Sequence, residues 1–580
     1  MDPRTVAHVL TQIGDLLELH GENRFKTAAY RNAARAVIGL DTDDLRGMVR
    51  AGALAGLRGI GPATLGVITE LVETGESAYF EQLREDTPEG LLEMLRIPGL
   101  GTSKIRAIHE GLDIDTVHEL EQAARDGRLA ALPRFGARTA EKILRGIAYL
   151  KETSAFVLYP HALAEAHRLL ASIERHPDVE RAAIAGSLRR RREVIRDIDI
   201  VAACRGVPAE VAASFARSPG VRDAIGVGGR TISIRFVDGT LLDLHCVPTA
   251  QFAVALWRAT GSETHERAVR ERAAARGLEL VEDALRDADG RPLAIADEPA
   301  LYDAVGLPYI EPELREDMGE IDAAARRALP ALITPRDIRG VLHCHSQYSD
   351  GRATIAEMAA AAKARGWSYL GISDHSQSAA YAGGLSRDAV LAQHEEIDRV
   401  NDELPGVRVL KGIEADILAD GRIDYDRDLL DRFDYVIASV HSRFGLDRAA
   451  MTERVLRALD DPHVTILGHP TGRLLLTREA YAIDMEAVIE KAAEVGVAVE
   501  LNADPHRLDL DWRLCRVAKE TGCSIEIGPD AHSTGGLDNV DVGVGIARKG
   551  WLEPADVLNT MDVEAVVARA RRRRESSAQA

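Results

Sequence analysis

Aromatic side chains are scarce in this chain: 4 Trp, 12 Tyr and 9 Phe among 580 residues, 4% in all. A broad binding surface paved with stacking rings is therefore not expected. The five cysteines (Cys204, Cys246, Cys344, Cys515 and Cys523) are odd in number and dispersed, with no Cys-x-x-Cys pair. That excludes a disulfide framework and reads as reduced thiols of a cytoplasmic protein. No run of about 18 apolar residues is present to span a bilayer, and the N-terminus has no apolar leader core, so no membrane partner is expected. An excess of basic charge is also missing. The formal net charge is −20, and residues 1–150 hold 18 Lys+Arg against 22 Asp+Glu. Overall charge thus argues against non-specific contact with polyanions, and any such contact must come from local geometry and clustered arginines. The basic run at 569–574 is expected to be a solvated, frayed terminus. What remains is a globular composition, 46% hydrophobic and 28% charged, on a chain long enough for several domains.

The densest chemistry lies in the C-terminal half. Gly340-Val341-Leu342-His343-Cys344-His345-Ser346 reads as a strand whose two histidines share one face, with Asp350 one short loop away. Cys344, between them, should face the other way. Downstream, short apolar strands over 369–375, 407–414, 435–441, 464–469 and 524–530 each end in a metal-type residue. The candidate ligands are His343, His345, Asp350, His375, Glu414, His441, His469, Asp530 and His532. Imidazole and carboxylate donors suit Zn²⁺ or Mn²⁺. With a seventh strand at 497–501 and helical stretches between, the pattern is a (β/α) barrel with its site at the C-terminal strand ends.

The N-terminal region reads as amphipathic helices, with Val9, Ile13, Leu16 and Leu17 at helical spacing. Leu57-Arg58-Gly59-Ile60-Gly61-Pro62 and Ile97-Pro98-Gly99-Leu100-Gly101-Thr102 each sit between helical segments, and Leu132-Pro133-Arg134-Phe135-Gly136 is a weaker third copy. This is the helix-hairpin-helix pattern. Its glycines allow a tight turn, and the free N–H groups opening the second helix can hold a DNA phosphate without reading sequence. Gly59, Gly61, Gly99 and Gly101 are the expected DNA-binding positions.

Past residue 150 the pattern becomes mixed α/β. A strand over 182–186 leads into Gly186-Ser187 and four arginines, Arg189 to Arg192. A second strand over 195–202 carries Asp197 and Asp199 on one face. Strands over 231–237 and 240–247 flank Asp238-Gly239, a hairpin signal, and place Asp243 opposite Leu242 and Leu244. Three carboxylates on adjacent strands suit two Mg²⁺ ions and in-line attack on a nucleotide α-phosphate. Gly186, Ser187 and the arginines, Arg190 among them, would meet the triphosphate.

These motifs, together with Thr260-Gly261-Ser262, resemble a bacterial family X DNA polymerase with a C-terminal PHP (polymerase and histidinol phosphatase) domain, over nearly the whole chain. The resemblance implies a multidomain fold. It would comprise a helical helix-hairpin-helix region over 1–80, a second over 81–150, a nucleotidyltransferase palm over 151–250, a helical thumb over 251–318, a linker over 319–338 and a distorted seven-stranded (β/α) PHP barrel over 339–575. It implies catalytic Asp197, Asp199 and Asp243, and nucleotide contacts at Gly186, Ser187, Arg190, Gly261 and Ser262. Up to three barrel ions would be held by His343, His345, Glu414 and Asp530; by Glu414, His441 and His469; and by Asp350, His375 and His532. The partners would be gapped or nicked DNA and dNTPs, the protein a monomer associated with the nucleoid. The activities would be gap filling with 3′→5′ exonuclease and abasic-site or 3′-end trimming.

Departures from the family pattern also stand out. Arg191 replaces a common glycine, Arg196 a small residue, and His245 an arginine; Arg258-Ala259 replaces an aromatic pair, and Val67 a Schiff-base lysine. Arg258 is expected to be a flexible side chain beside the sugar. One alternative keeps only the nuclease, with a degraded palm that holds DNA. Another is a small-molecule phosphoesterase with an unrelated front half.

Overall fold

The computed structural model describes residues 3–38, 40 and 45–579 and divides into two compact units, one of residues 1–155 with 476–478 and one of the remainder. The first is all helical. Its core joins Leu10, Ile13, Leu17, Ile68, Ile105 and Leu120, each fully buried. Helices Pro62–Thr74, Thr102–Leu112 and Ala137–Thr153 each follow a glycine N-cap: Gly61, Gly101 and Gly136. Two residues earlier the backbone turns left-handed, at Gly59 (φ 99°), Gly99 (φ 77°) and Arg134 (φ 68°). The weak third copy therefore keeps the hairpin's geometry, with an arginine where glycine is easier.

In the second unit, the palm is a five-stranded sheet in the order Val179–Ile184, Ile198–Cys204, Leu241–Pro248, Thr231–Phe236, Val221–Ile225. Ile198–Cys204 and Leu241–Pro248 run parallel, with Asp199 directly beside Asp243. The long strand expected over 195–202 is broken at 196–197. Val194–Ile195 instead pairs with Val157–Leu158, so Asp197 sits at the bend just ahead of strand Ile198–Cys204. The strand expected over 182–186 ends at Ile184, and Gly186 opens a short helical turn, Gly186–Arg189.

Seven parallel strands form the barrel in sequence order: Gly340–Val341, Tyr369–Ile372, Arg408–Asp416, Tyr435–Ser439, Val464–Leu467, Ala498–Asn502 and Ile525–Gly528. The ring is closed near its C-terminal rim, where His345 N donates to Ala531 O (2.8 Å) and Ala531 N to His343 O (3.2 Å). Buried on both faces, these strands read as near-continuous apolar runs. Tyr369 and Tyr435 fill the interior, and Gly371 makes room, since a Cβ there would lie 2.2 Å from the Tyr435 hydroxyl. Side-chain caps at Thr354, Ser386, Asp447 and Asp511 start the helices that wrap the outside.

Two expectations are corrected here. The 319–338 stretch is no free linker: it holds helix Glu320–Ala325, and Ile333 is buried in the barrel core with its N–H on Leu552 O (3.0 Å). Nor is the 569–574 run frayed. Arg573 donates to the carbonyls of Leu459 (2.8 Å) and Asp461 (2.7 Å), and Arg574 to that of Phe433 (2.7 Å). Guanidinium groups satisfying carbonyls at the ends of helices and in loops give this helix its seat on the barrel.

Palm, thumb and barrel also interlock. Lys549, fully buried on the barrel's helix Asn539–Lys549, donates to the palm's Arg190 O (2.9 Å) and pairs with the thumb's Glu316 (2.6 Å). Trp551 joins the thumb's own apolar core.

Candidate metal centres and DNA-processing sites

All nine predicted barrel ligands converge on one rim. Glu414 lies at its centre. One carboxylate oxygen is 2.9 Å from His375 Nδ1 and 3.5 Å from His343 Nε2; the other is 2.8 Å from His469 Nε2 and 3.2 Å from His441 Nε2. Asp530 Oδ1 lies 3.3 Å from His345 Nε2, and Asp350 Oδ1 lies 3.4 Å from His532 Nε2 and 3.7 Å from His375 Nε2. Three sets of ligand atoms are close enough to share an ion: His345, Asp350, His375 and His532; His343, His345 and Asp530; and His375, Glu414 and His441. His345 and His375 each belong to two of these sets. His469 falls outside them; its ring meets Glu414 and its backbone N–H meets Glu500. Glu414's central place puts five imidazoles within 4 Å of its two oxygens, His345 Nε2 being the farthest at 3.8 Å.

The donors fit metal ions. His343 Nε2 and both ring nitrogens of His345 are buried without a hydrogen-bond partner, a costly state for groups that no ion engages. Cys344 points away into the barrel's apolar core, leaving nitrogen and oxygen donors only. Burial, with the neighbouring His532 and His375, pushes His345 down to about 3. Burial and the charge of Arg507 push His469 down to about 4. Against burial, Glu414 and Asp416 raise His441 to about 10. Asp350 and Asp530 similarly raise His532 to about 9.

The sequence reading missed the residues that aim these ligands. Glu500 accepts from His343 Nδ1 (2.5 Å) and from His469 N (2.5 Å), Asp416 from His441 Nδ1 (2.7 Å). Such partners fix which ring nitrogen faces the ion. Asn502 donates to Asp530 Oδ2 (3.0 Å), and Arg507 pairs with the same oxygen (3.3 Å).

In the palm, Asp199 lies directly beside Asp243 on the neighbouring strand, and Asp197 is near enough for its charge to act on Asp199. Burial raises the Asp199 carboxyl; the neighbouring His245, its Nε2 3.9 Å away, opposes this, and the charges of Asp197 and Asp243 add to it. Three carboxylates that repel one another are an all-oxygen donor set suited to Mg²⁺. Gly186 (φ 61°) backs Asp199, since a Cβ there would fall 1.8 Å from its carboxylate oxygen. Asp243 accepts from Ser233 Oγ (2.5 Å), and Asp197 pairs with Arg196 (3.0 Å). Ser262 caps helix Glu263–Ala274. The arginines expected to meet a triphosphate are already engaged: Arg189 with Glu298, Arg190 with Glu316 (3.0 Å) and Thr260 O, Arg191 with Tyr159 (2.5 Å), and Arg192 with Glu316 (3.4 Å). The hairpin glycines Gly59, Gly61, Gly99 and Gly101 are all exposed.

Residues 1–77 match the helix-hairpin-helix domain, 91–148 the SAM-like helix-hairpin-helix tandem, 255–316 the DNA polymerase beta thumb and 342–504 the PHP domain. The chain is 36% identical over 575 residues to the DNA polymerase/3′-5′ exonuclease PolX of Bacillus subtilis (strain 168), covering 98% of this chain and 100% of that protein. The chain belongs to the family X DNA polymerases with a C-terminal PHP domain. Part of the chain is also similar to probable phosphatases. One from Caldanaerobacter subterraneus subsp. tengcongensis is 30% identical over 38% of this chain and 88% of its own length. Another, from Shewanella sp. (strain ANA-3), is 33% identical over 34% and 78%. The match across both halves removes the reading of a phosphoesterase with an unrelated front.

For this family X polymerase, the departures acquire a physical setting. Arg191 takes a left-handed φ of 56°, which explains why glycine is common there. Arg258 is not a free side chain: its guanidinium pairs with buried Asp283 at 2.9 Å. Val67 is buried in helix Pro62–Thr74, and Lys26 is paired with Glu22 at 3.0 Å.

Proposed function

We propose that the chain is a two-site DNA repair enzyme, filling short gaps with its palm and trimming 3′ ends or abasic sites with its barrel. Two separate donor sets of different chemistry carry this reading: Asp199 and Asp243 on paired palm strands with Asp197 at the bend ahead of them, and imidazoles with carboxylates on the barrel rim. Asp197, Asp199 and Asp243 hold Mg²⁺ in this reading; Gly186, Ser187, Arg190, Gly261 and Ser262 shape the dNTP site. The nine barrel residues hold up to three Mn²⁺ or Zn²⁺ ions. Bound ions there supply positive charge that activates water and stabilises a departing 3′-oxygen. The protein's own part is to fix the imidazoles through Glu500 and Asp416. The glycines of the two hairpins seat the phosphates of gapped or nicked DNA. Working domains run 1–80, 81–150, 151–250, 251–318 and 339–575, in a monomeric protein of the cytoplasm and nucleoid.

The test exchanges the two losses. Asp199→Ala abolishes extension on a one-nucleotide gap and leaves 3′→5′ degradation. His343→Ala or Asp530→Ala does the reverse, with DNA binding retained in all three. Degradation of 3′ ends at the parent rate by His343→Ala would refute the barrel assignment.

A further inference from the structure

Phe25 and Tyr381 are the two aromatic rings left exposed among the described residues, and Tyr381 is 71% exposed beside the barrel ligands. Its ring centroid lies 6.1 Å from that of His375 and 6.2 Å from that of His441. The loop that carries it is held firmly at its base. It leaves the barrel at His375 and returns to the same residue, Leu385 N donating to His375 O at 2.9 Å. Within it, Ala379 N donates to Ser376 O (3.0 Å) and Gly384 N to Ala379 O (3.1 Å). Ser378 N is tied to Asp424 (2.8 Å). Gly384 permits the closure, since a Cβ there would sit 2.0 Å from Ser376 O. A loop built so tightly, with its one large apolar ring in solvent, keeps that ring from the burial it would otherwise gain.

We propose that Tyr381 is a substrate-positioning residue, a platform on which the nucleobase of the 3′-terminal nucleotide stacks while its phosphodiester lies at the barrel ligands. This rests on the reading of the barrel as a 3′ nuclease. The chemistry fits a nuclease that must accept every sequence: each base has a π-face, so one ring holds all of them without hydrogen-bond readout. It also fits a chain too poor in aromatics for a paved surface, because a single ring is placed where the terminal base must stop. His375 and Glu414 beneath it hold the platform and the ligand set in one register.

The experiment uses the full-length protein with Mn²⁺ and compares Tyr381→Ala and Tyr381→Phe with the parent. The substrates are two single-stranded oligonucleotides, one ending in a normal 3′ nucleotide and one in a 3′ abasic (tetrahydrofuran) residue. For Tyr381→Ala, kcat/KM on the normal end is expected to fall by about tenfold to a hundredfold, mainly through KM. On the abasic end it should be unchanged, and Tyr381→Phe should keep parent values on both. Equal loss on both ends would mean that the ring merely shapes the ligand cluster, and no loss on either that no base stacks; both overturn the proposal while the nuclease reading stands. A parent protein without 3′ nuclease activity would remove both together.

Discussion

Replacing Glu500 by Gln tests whether the barrel's carboxylate partners do more than fill space. Glu500 is completely buried and touches no solvent, yet it holds His343 through Nδ1 and His469 through its backbone N–H, each at 2.5 Å. Glutamine keeps the shape and one acceptor. It removes the charge that steadies the His343 imidazole and offers an N–H₂ group to whichever donor met the lost oxygen. Loss of such a partner costs about ten- to a hundredfold in metal affinity, or about 1.4–2.7 kcal/mol. Exonuclease activity at limiting Mn²⁺ should fall by that factor and recover in part as Mn²⁺ is raised, because ligand identity is unchanged. Gap filling, which uses the palm, should not change. Affinity is read by competition with a chromophoric chelator, alongside thermal unfolding to establish that the variant is folded. A folded Glu500→Gln protein with parent-like affinity and parent-like nuclease rate would refute the reasoning.

Further outcomes follow from the same geometry. Because His441 and His532 are raised to about 10 and 9, both carry protons at pH 7.5 in the metal-free protein, and ion binding must expel them. Calorimetric Mn²⁺ titrations in buffers of different ionisation enthalpy should therefore record proton release from His441 and His532, and from His343, which its carboxylate neighbours also raise, fading as pH climbs from about 9 through about 10; buffer-independent heats would contradict this. At the sugar pocket, Arg258 is pinned to Asp283 and Ala259 supplies no ring, so kcat/KM for dNTP over rNTP in single-gap filling should be about tenfold or less, against about a thousandfold if another barrier is present. Borohydride trapping on a 5′-deoxyribose phosphate should yield little adduct, since Val67 has no amine and is only 6% exposed; strong adduct mapping to Lys26 would overturn this.

The barrel ligands were legible because alternation along short strands repeats one residue class at one position, from His343 and His345 through to Asp530. Glu500 escaped notice for the opposite reason. An acidic residue inside an apolar strand carries no sign of whether it meets water or an imidazole, although its spacing from Asn502 places both on one face. Asp416 stands in the same relation to Glu414. The arginines of 189–192 announced positive charge but not its destination, because Glu298 and Glu316 lie 109 and 126 residues downstream of Arg189 and Arg190. For the same reason a basic terminus looked like a tail, when its guanidinium groups meet carbonyls set by the fold of the barrel. Motif spacing reports what one strand or turn does; the pairing of distant charges is a property of packing.

The Lys549 junction decides where this chain can be divided. A palm and thumb released upstream of the barrel would keep Glu316 against Arg190 and Arg192 but lose the ammonium that also holds the Arg190 carbonyl. A barrel released alone would turn Lys549 and Trp551, both buried in the whole chain, out to water. A fragment cut between the thumb and the barrel therefore begins with a defect at the Arg190 carbonyl and at the seat of Glu316.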